Sequence, residues 1–210
     1  MQSLFCNSQR MDVSNPMSSL SPSLDIRTLA VLAGAEASFT SGDVARLVDA
    51  SRSGVALALD RLVSAGVVDV ETHGRTNSYR LNRDHLLADA VLSAANVWES
   101  LRARVTEAVE RWALPPERVV MFGSAARRDG DGASDIDVLV IPVGDVDPDD
   151  VTWRSQVETL EQSVVRWTGN PCEILTMSLE RWHEAKRQDA PFAKEVERDG
   201  ISLLPERSTT

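Results

Sequence analysis

The sequence predicts an α+β protein in which two folded parts are joined by a long helix. Three patterns predict it. From about 24 to 83, apolar residues recur at helical spacing and then switch to the two-residue alternation of strands. From about 84 to 114 the helical spacing continues without a stop signal, until Pro115-Pro116 ends it. From 115 to 204, strand and helix patterns alternate, which calls for a mixed sheet with flanking helices.

The opening MQSLFCNSQRMDVSNPMSSLSPS, residues 1–23, is rich in Ser, Asn and Pro and reads as a disordered leader. It lacks a basic start followed by an apolar run, which argues against a signal peptide, and Met11 and Met17 offer alternative translation starts. Leu24, Ile26, Leu29, Val31 and Leu32 give a first helix ending near Gly34. Thr40 and Ser41 are N-cap candidates for a second helix, with Asp43 in its first turn. Ser51 caps a third, whose inward side is Val55, Leu59, Leu62 and Val63 and whose end is Gly66. Val68 and Val70, then Tyr79 and Leu81, alternate around His73-Gly74 as two strands and a turn. The long helix carries Leu87, Val91, Ala94, Trp98, Leu101, Val105, Ala108 and Trp112 at three- and four-residue steps, a stripe that suits packing within the chain and permits a homodimer. Beyond it, RVVMFGS and IDVLVIPV read as strands, 148–167 as a helix, CEILTM as a strand, and 179–188 as a helix. PFAKEVERDGISLL closes the domain as a short helix, a turn and an apolar tail, followed by 205–210.

Composition narrows the function. The chain is 42% hydrophobic and 26% charged, the range of a globular protein, and no apolar run approaches the roughly 20 residues of a membrane span. Its two cysteines, Cys6 and Cys172, suggest neither a disulfide framework nor a zinc site, so a reducing cytoplasm is the expected setting. The net charge of −10 speaks against a nucleic-acid partner until its distribution is considered. Residues 24–83 hold seven acids and seven arginines, whereas 115–210 hold nineteen acids and eleven bases. A neutral N-terminal part can still bind DNA if its arginines share one face, because phosphate responds to local charge.

One segment carries chemistry: FGSAARRDGDGASDIDVLV. Gly123 lets the backbone approach a phosphate, and Ser124 can donate its hydroxyl at the start of a following helix whose free N–H groups favour anions. Asp135 and Asp137 flank Ile136, so the isoleucine can enter the core while both carboxylates share a face. Adjacent carboxylates repel one another unless a cation joins them, and two metals held by carboxylates can stabilise the attacking and leaving oxygens of an in-line displacement. Gly-Ser, ten residues, then Asp-x-Asp resembles the signature of the DNA polymerase beta-like nucleotidyltransferases, in their minimal prokaryotic form.

The resemblance implies a Mg²⁺- or Mn²⁺-dependent enzyme that moves a nucleoside monophosphate from an NTP, ATP above all, to an acceptor hydroxyl. It places Gly123 and Ser124 at the triphosphate, with Arg127 and Arg128 able to reach phosphates, and makes Asp135 and Asp137 metal ligands. A third carboxylate on a later strand, acting also as general base, is expected. Glu173 is the candidate, although relatives usually carry Asp there. Some relatives modify a partner protein or tRNA within toxin–antitoxin systems, so a protein or RNA acceptor is in scope.

The N-terminal order of helices and hairpin, with SRSGVALALDRLVSAGVVDVETHGRTNSYRLN, resembles a winged helix-turn-helix. That resemblance implies double-stranded DNA contacts by Ser51, Arg52 and Ser53 at the recognition helix and by His73, Arg75, Thr76 and Asn77 at the hairpin tip, with Arg80 nearby. Arg61, further along the helix, would meet phosphate or solvent. Such modules also serve as protein-docking units. Two functions therefore stand side by side: a nucleotidyltransferase with a DNA-binding module, and a DNA-binding transcriptional regulator that binds nucleotide without turnover. The expected domains are 24–83, a linking helix over 84–114, and 115–204.

Overall fold

The computed structural model describes residues 10–12, 14–127 and 134–204. The expected leader over 1–9 and at 13, the tail at 205–210, and Arg128 lie outside the described residues. The chain divides into two compact units, Asn15–Val97 in one, and Met1–Ser14 with Trp98–Thr210 in the other. The architecture is α+β, as the patterns predict.

In the first unit α1 (Leu24–Ala33), α2 (Ser41–Leu47) and α3 (Arg52–Ser64) pack around Leu29, Leu32, Val44, Val55 and Leu59. Thr40 caps α2 through a full capping box, its hydroxyl accepting from the Asp43 amide while the Asp43 carboxylate accepts from Thr40. Ser51 caps α3 by accepting from the Gly54 amide. β2 (Val68–His73) and β3 (Thr76–Leu81) form the hairpin, with Gly74 at φ +63° in its turn. A two-residue strand before them, β1 (Phe39–Thr40), adds a third to this sheet by pairing with β3.

Two sequence expectations are corrected here. Residues 16–19, assigned to the leader, form a 3-10 turn whose Met17 is only 2% exposed against α1 and the core of this unit. A single apolar side chain in a polar tail gives no periodic signal, yet burying it withdraws that segment from solvent. The linking helix is two helices, α4 (Ala88–Ala95) and α5 (Val97–Val109), broken at Asn96 with φ −115° and ψ 54°. α5 buries Trp98, Leu101 and Val105 as expected, but then Val109 in place of Ala108.

The second unit is built on a four-stranded sheet in the order β6-β5-β4-β7, where β4 is Pro116–Phe122, β5 Ile136–Pro142, β6 Cys172–Thr176 and β7 Ile201–Ser202. β4 is antiparallel to β5 and β7, and β6 is parallel to β5, so the sheet is mixed. The expected apolar tail thus supplies an edge strand. Between strands run the five-residue α6 (Gly123–Arg127), α7 (Val151–Thr168), α8 (Leu179–Arg187) and α9 (Pro191–Asp199). Leu139 and Ile141 of β5 pack with Trp182 of α8 and with Ala193 and Val196 of α9. Alternation puts Asp137 on that same face, one step before the covered part of the strand. No described helix is long and apolar enough to cross a membrane.

Candidate functional site

The site begins where β4 ends. Phe122 is the register partner of Asp137, and the next residue, Gly123, takes φ +73°. A Cβ on Gly123 would lie 2.4 Å from Oδ2 of Asp137, so the glycine is needed for its backbone angle and for the room it leaves the carboxylate. With only five residues, α6 sums few peptide dipoles. The predicted anion cradle therefore narrows to the Gly123 backbone and the half-buried Ser124.

Ile136 is fully buried and Asp135 and Asp137 flank it as the pattern requires. Asp135 leaves 56% of its side chain exposed, while Asp137 is half-buried. On the parallel neighbour, Glu173 is the register partner of Asp137. Register partners on adjacent strands share a face, so these two carboxylates sit side by side across the strand pair. β6 is an edge strand and Glu173 is exposed, open to an incoming molecule.

The electrostatics follow from this crowding. Partial burial first, then the charges of Glu173, Asp135 and Glu195 on α9, hold the Asp137 carboxyl above the usual range, with Arg127 opposing. Cys172, beside Glu173 in β6, has its thiol pushed up to about 12, chiefly by burial and then by Glu161 and Asp137. It stays protonated and apolar in character, which suits neither a nucleophile nor a metal ligand.

Arg127, expected at phosphate, ion-pairs with Glu195 at 2.6 Å and Asp199 at 3.5 Å and ties α6 to α9. Two further residues at the site have no sequence signal. Arg10 reaches Asp135 at 3.4 Å, and Asn170, fully buried, bonds the backbone of Met11 and Ser134.

Among the described residues no three His, Cys, Asp or Glu side chains converge as they would around a metal ion. Asp135, Asp137 and Glu173 nevertheless offer carboxylate oxygens, the donor type that Mg²⁺ takes, and like charges crowd Asp137.

In the first unit the predicted DNA-contacting residues divide. Arg52, Arg75, Thr76 and Asn77 line one recess of about 400 Å³ together with Thr40 and Ser41. Ser51 is engaged as the N-cap, with Ser53 3.4 Å from its hydroxyl. His73 faces Glu71 at 3.5 Å, and Arg80 pairs with Asp69 and Glu71. Arg61 is bound in a fork by Asp25, whose carboxyl this guanidinium holds below its ordinary value. The cations facing the recess are thus Arg52 and Arg75, one from α3 and one from the hairpin tip.

The family described as "Nucleotidyltransferase domain" matches residues 102–187, a span that takes in β4, β5, β6 and the three carboxylates. Residues 102–187 thus resemble a nucleotidyltransferase domain and follow, in the sequence, a separate helix-and-hairpin unit. No curated protein matches it. Among solved structures, a toxin–antitoxin with AMP-PNP is similar at 14% identity and TM-score 0.36, over 50% of this chain and 74% of that one. An archaeal chromatin protein, TrmBL2, is similar at 14% identity and TM-score 0.32, over 88% of this chain and 78% of that one. Human N-acetylserotonin methyltransferase in complex with SAM is similar at 24% identity and TM-score 0.28, over 53% of this chain and 36% of that one.

Proposed function

We propose that the C-terminal unit is a divalent-cation-dependent nucleotidyltransferase that moves AMP from ATP to a hydroxyl of a protein or RNA acceptor. The observation that carries this is the register of Asp137 with Glu173, at the strand mouth where Gly123 leaves room for the Asp137 carboxylate. Asp135, Asp137 and Glu173 would hold Mg²⁺ or Mn²⁺, which when bound neutralises phosphate charge and polarises the α-phosphorus. Gly123 and Ser124 bind and orient the triphosphate. The acceptor oxygen bonds to the α-phosphorus as the bond to the bridging oxygen breaks, pyrophosphate leaves, and Glu173 takes the hydroxyl proton. Arg127, held by Glu195 and Asp199, steadies α6 and keeps part of the negative field off Asp137.

The test is label transfer from α-³²P-ATP in the presence of Mg²⁺ and extract. Wild type is expected to label an acceptor, and an Asp135→Ala, Asp137→Ala chain is expected to lose the label entirely. Equal silence of the two would remove this proposal. The Arg10–Asp135 ion pair favours a second reading, since a guanidinium already holds one carboxylate. In that reading the chain is a DNA-binding regulator that binds nucleotide without turnover, and ATP binding would persist with no transfer.

Both readings use the first unit to bind double-stranded DNA. The recess that joins Arg52 to Arg75 supports this, because a phosphate strand can lie between a recognition helix and a hairpin tip. Arg52→Ala with Arg75→Ala is expected to weaken DNA binding at every sequence. It should also lower the slope of log K against log salt by about 2, the contribution of two phosphate contacts. An unchanged slope in a gel-shift salt titration would exclude these contacts.

A further inference from the structure

Asn170 is a fully buried polar side chain that the proposed chemistry leaves without a role. It follows Gly169, whose φ of +77° closes α7, and precedes Pro171 at the entry to β6. Its Nδ2 donates to the carbonyls of Met11 and Ser134, each at 3.0 Å, and its Oδ1 accepts from the Met11 amide at 3.0 Å. Both amide hydrogens are therefore committed. The next residue, Pro171, accepts at its carbonyl from the Ile136 amide at 2.9 Å. Asp135 thus lies between two residues held by a single dipeptide, Ser134 through the side chain of Asn170 and Ile136 through the carbonyl of Pro171.

We infer that Asn170 is a positioning residue, which fixes the backbone carrying Asp135 and thereby sets the spacing of its carboxylate from that of Asp137. The Asp135 side chain is largely exposed, so packing does little to place it and its location depends on the backbone beneath. Only an amide of this length meets the demand. Aspartate would turn a carboxylate toward two carbonyls, leucine offers no donor, and glutamine carries an extra methylene into a filled space. Without the amide, the bond from Asn170 to the Ser134 carbonyl is lost, and the backbone leading into β5 is tied to Asn170 no longer. The same amide pairs with both backbone groups of Met11, as a neighbouring strand would, and so brings Arg10 next to Asp135.

This inference rests on the cation-site proposal, and the experiment keeps the two apart. Mn²⁺ binding to the full chain is measured by the loss of the free-ion EPR signal, with melting temperature and circular dichroism alongside. The chains compared are wild type, Asn170→Ser, Asn170→Leu and Asp135→Asn. A folded Asn170 variant is expected to bind Mn²⁺ about ten-fold more weakly, the usual effect of losing a partner that orients a metal ligand. Asn170→Ser keeps a small polar group and covers the case in which Asn170→Leu does not fold. A purely structural role would lower the melting temperature and leave Mn²⁺ affinity at the wild-type value, and that result overturns the inference. If Asp135→Asn loses Mn²⁺ while the Asn170 variants keep it, this inference fails alone. If Asp135→Asn binds like wild type, the cation-site proposal fails with it.

Discussion

Without divalent cations, an Asp137→Asn chain is expected to melt at a higher temperature than wild type, and to bind no Mn²⁺ and transfer no nucleotide when cations are supplied. The two effects have one cause. Burial and the charges of Glu173, Asp135 and Glu195 raise the Asp137 carboxyl above its ordinary value, so ionising it costs the folded state. Asparagine keeps the shape and removes the charge. A gain of about 1 kcal/mol, common where function holds a strained charge, corresponds to about 2–4 °C in a chain of 210 residues.

The pH dependence has a definite sign. The destabilisation by Asp137 is absent below the unfolded carboxyl value near 3.8 and fully present above the raised folded value. Its contribution therefore makes the cation-free protein less stable as pH rises through the acid range. Asp25, Asp43 and Asp199 act oppositely, because hydrogen bonds from Arg61, Thr40 and Arg198 lower their carboxyls, and their stabilisation is lost as pH falls. The signature is thus the difference between wild type and Asp137→Asn, which should widen as pH rises and then level off. Mn²⁺ affinity of wild type should strengthen over the same interval, since binding competes with the proton. A difference that does not vary with pH would show that Asp137 is not a crowded carboxylate.

What the sequence reveals about this chain is local. The N-cap at Thr40 or Ser41 with Asp43 in the first turn, the cap at Ser51, the turn at Gly74 and the strand IDVLVIPV each announce themselves within a few residues, because caps, turns and periodicity are local physics. Asp-x-Asp around a buried isoleucine is legible for the same reason. The misses are non-local or too short to be periodic. Phe39–Thr40 and Ile201–Ser202 become strands only because β3 and β4 offer them an edge. Asn96 breaks the long helical pattern with neither Pro nor Gly to mark the place. Arg127 looks like a free loop cation until the fold brings it Glu195 and Asp199, 68 and 72 residues away. Asn170 has no local signal in TGNP, and its partners Met11 and Ser134 are 159 and 36 residues distant.

Gly123→Ala is expected to damage both stability and transfer, and Gly144→Ala shows how much of that damage is specific. Both glycines take φ +73°, a conformation in which any side chain is strained. A Cβ at Gly144 meets nothing within 4 Å, whereas one at Gly123 lies 2.4 Å from Oδ2 and 3.4 Å from Cγ of Asp137. The Asp137 backbone cannot retreat, because β5 is held in register by Phe122 on one side and Glu173 on the other. The alanine must either drive the carboxylate away from its neighbours or turn its own backbone and carry Ser124 and α6 with it. Gly144→Ala should therefore cost about 1 kcal/mol and leave transfer unchanged. Gly123→Ala should cost about 2–3 kcal/mol, lower the melting temperature by roughly 4–12 °C, and reduce transfer about 100-fold through displacement of the reacting groups. Thermal melts and initial rates on the two variants measure the contrast. Equal losses from both would mean that the Gly123 backbone angle matters and its contact with Asp137 does not. A selective loss at Gly123 would tie the phosphate-side turn and the carboxylate into one working unit.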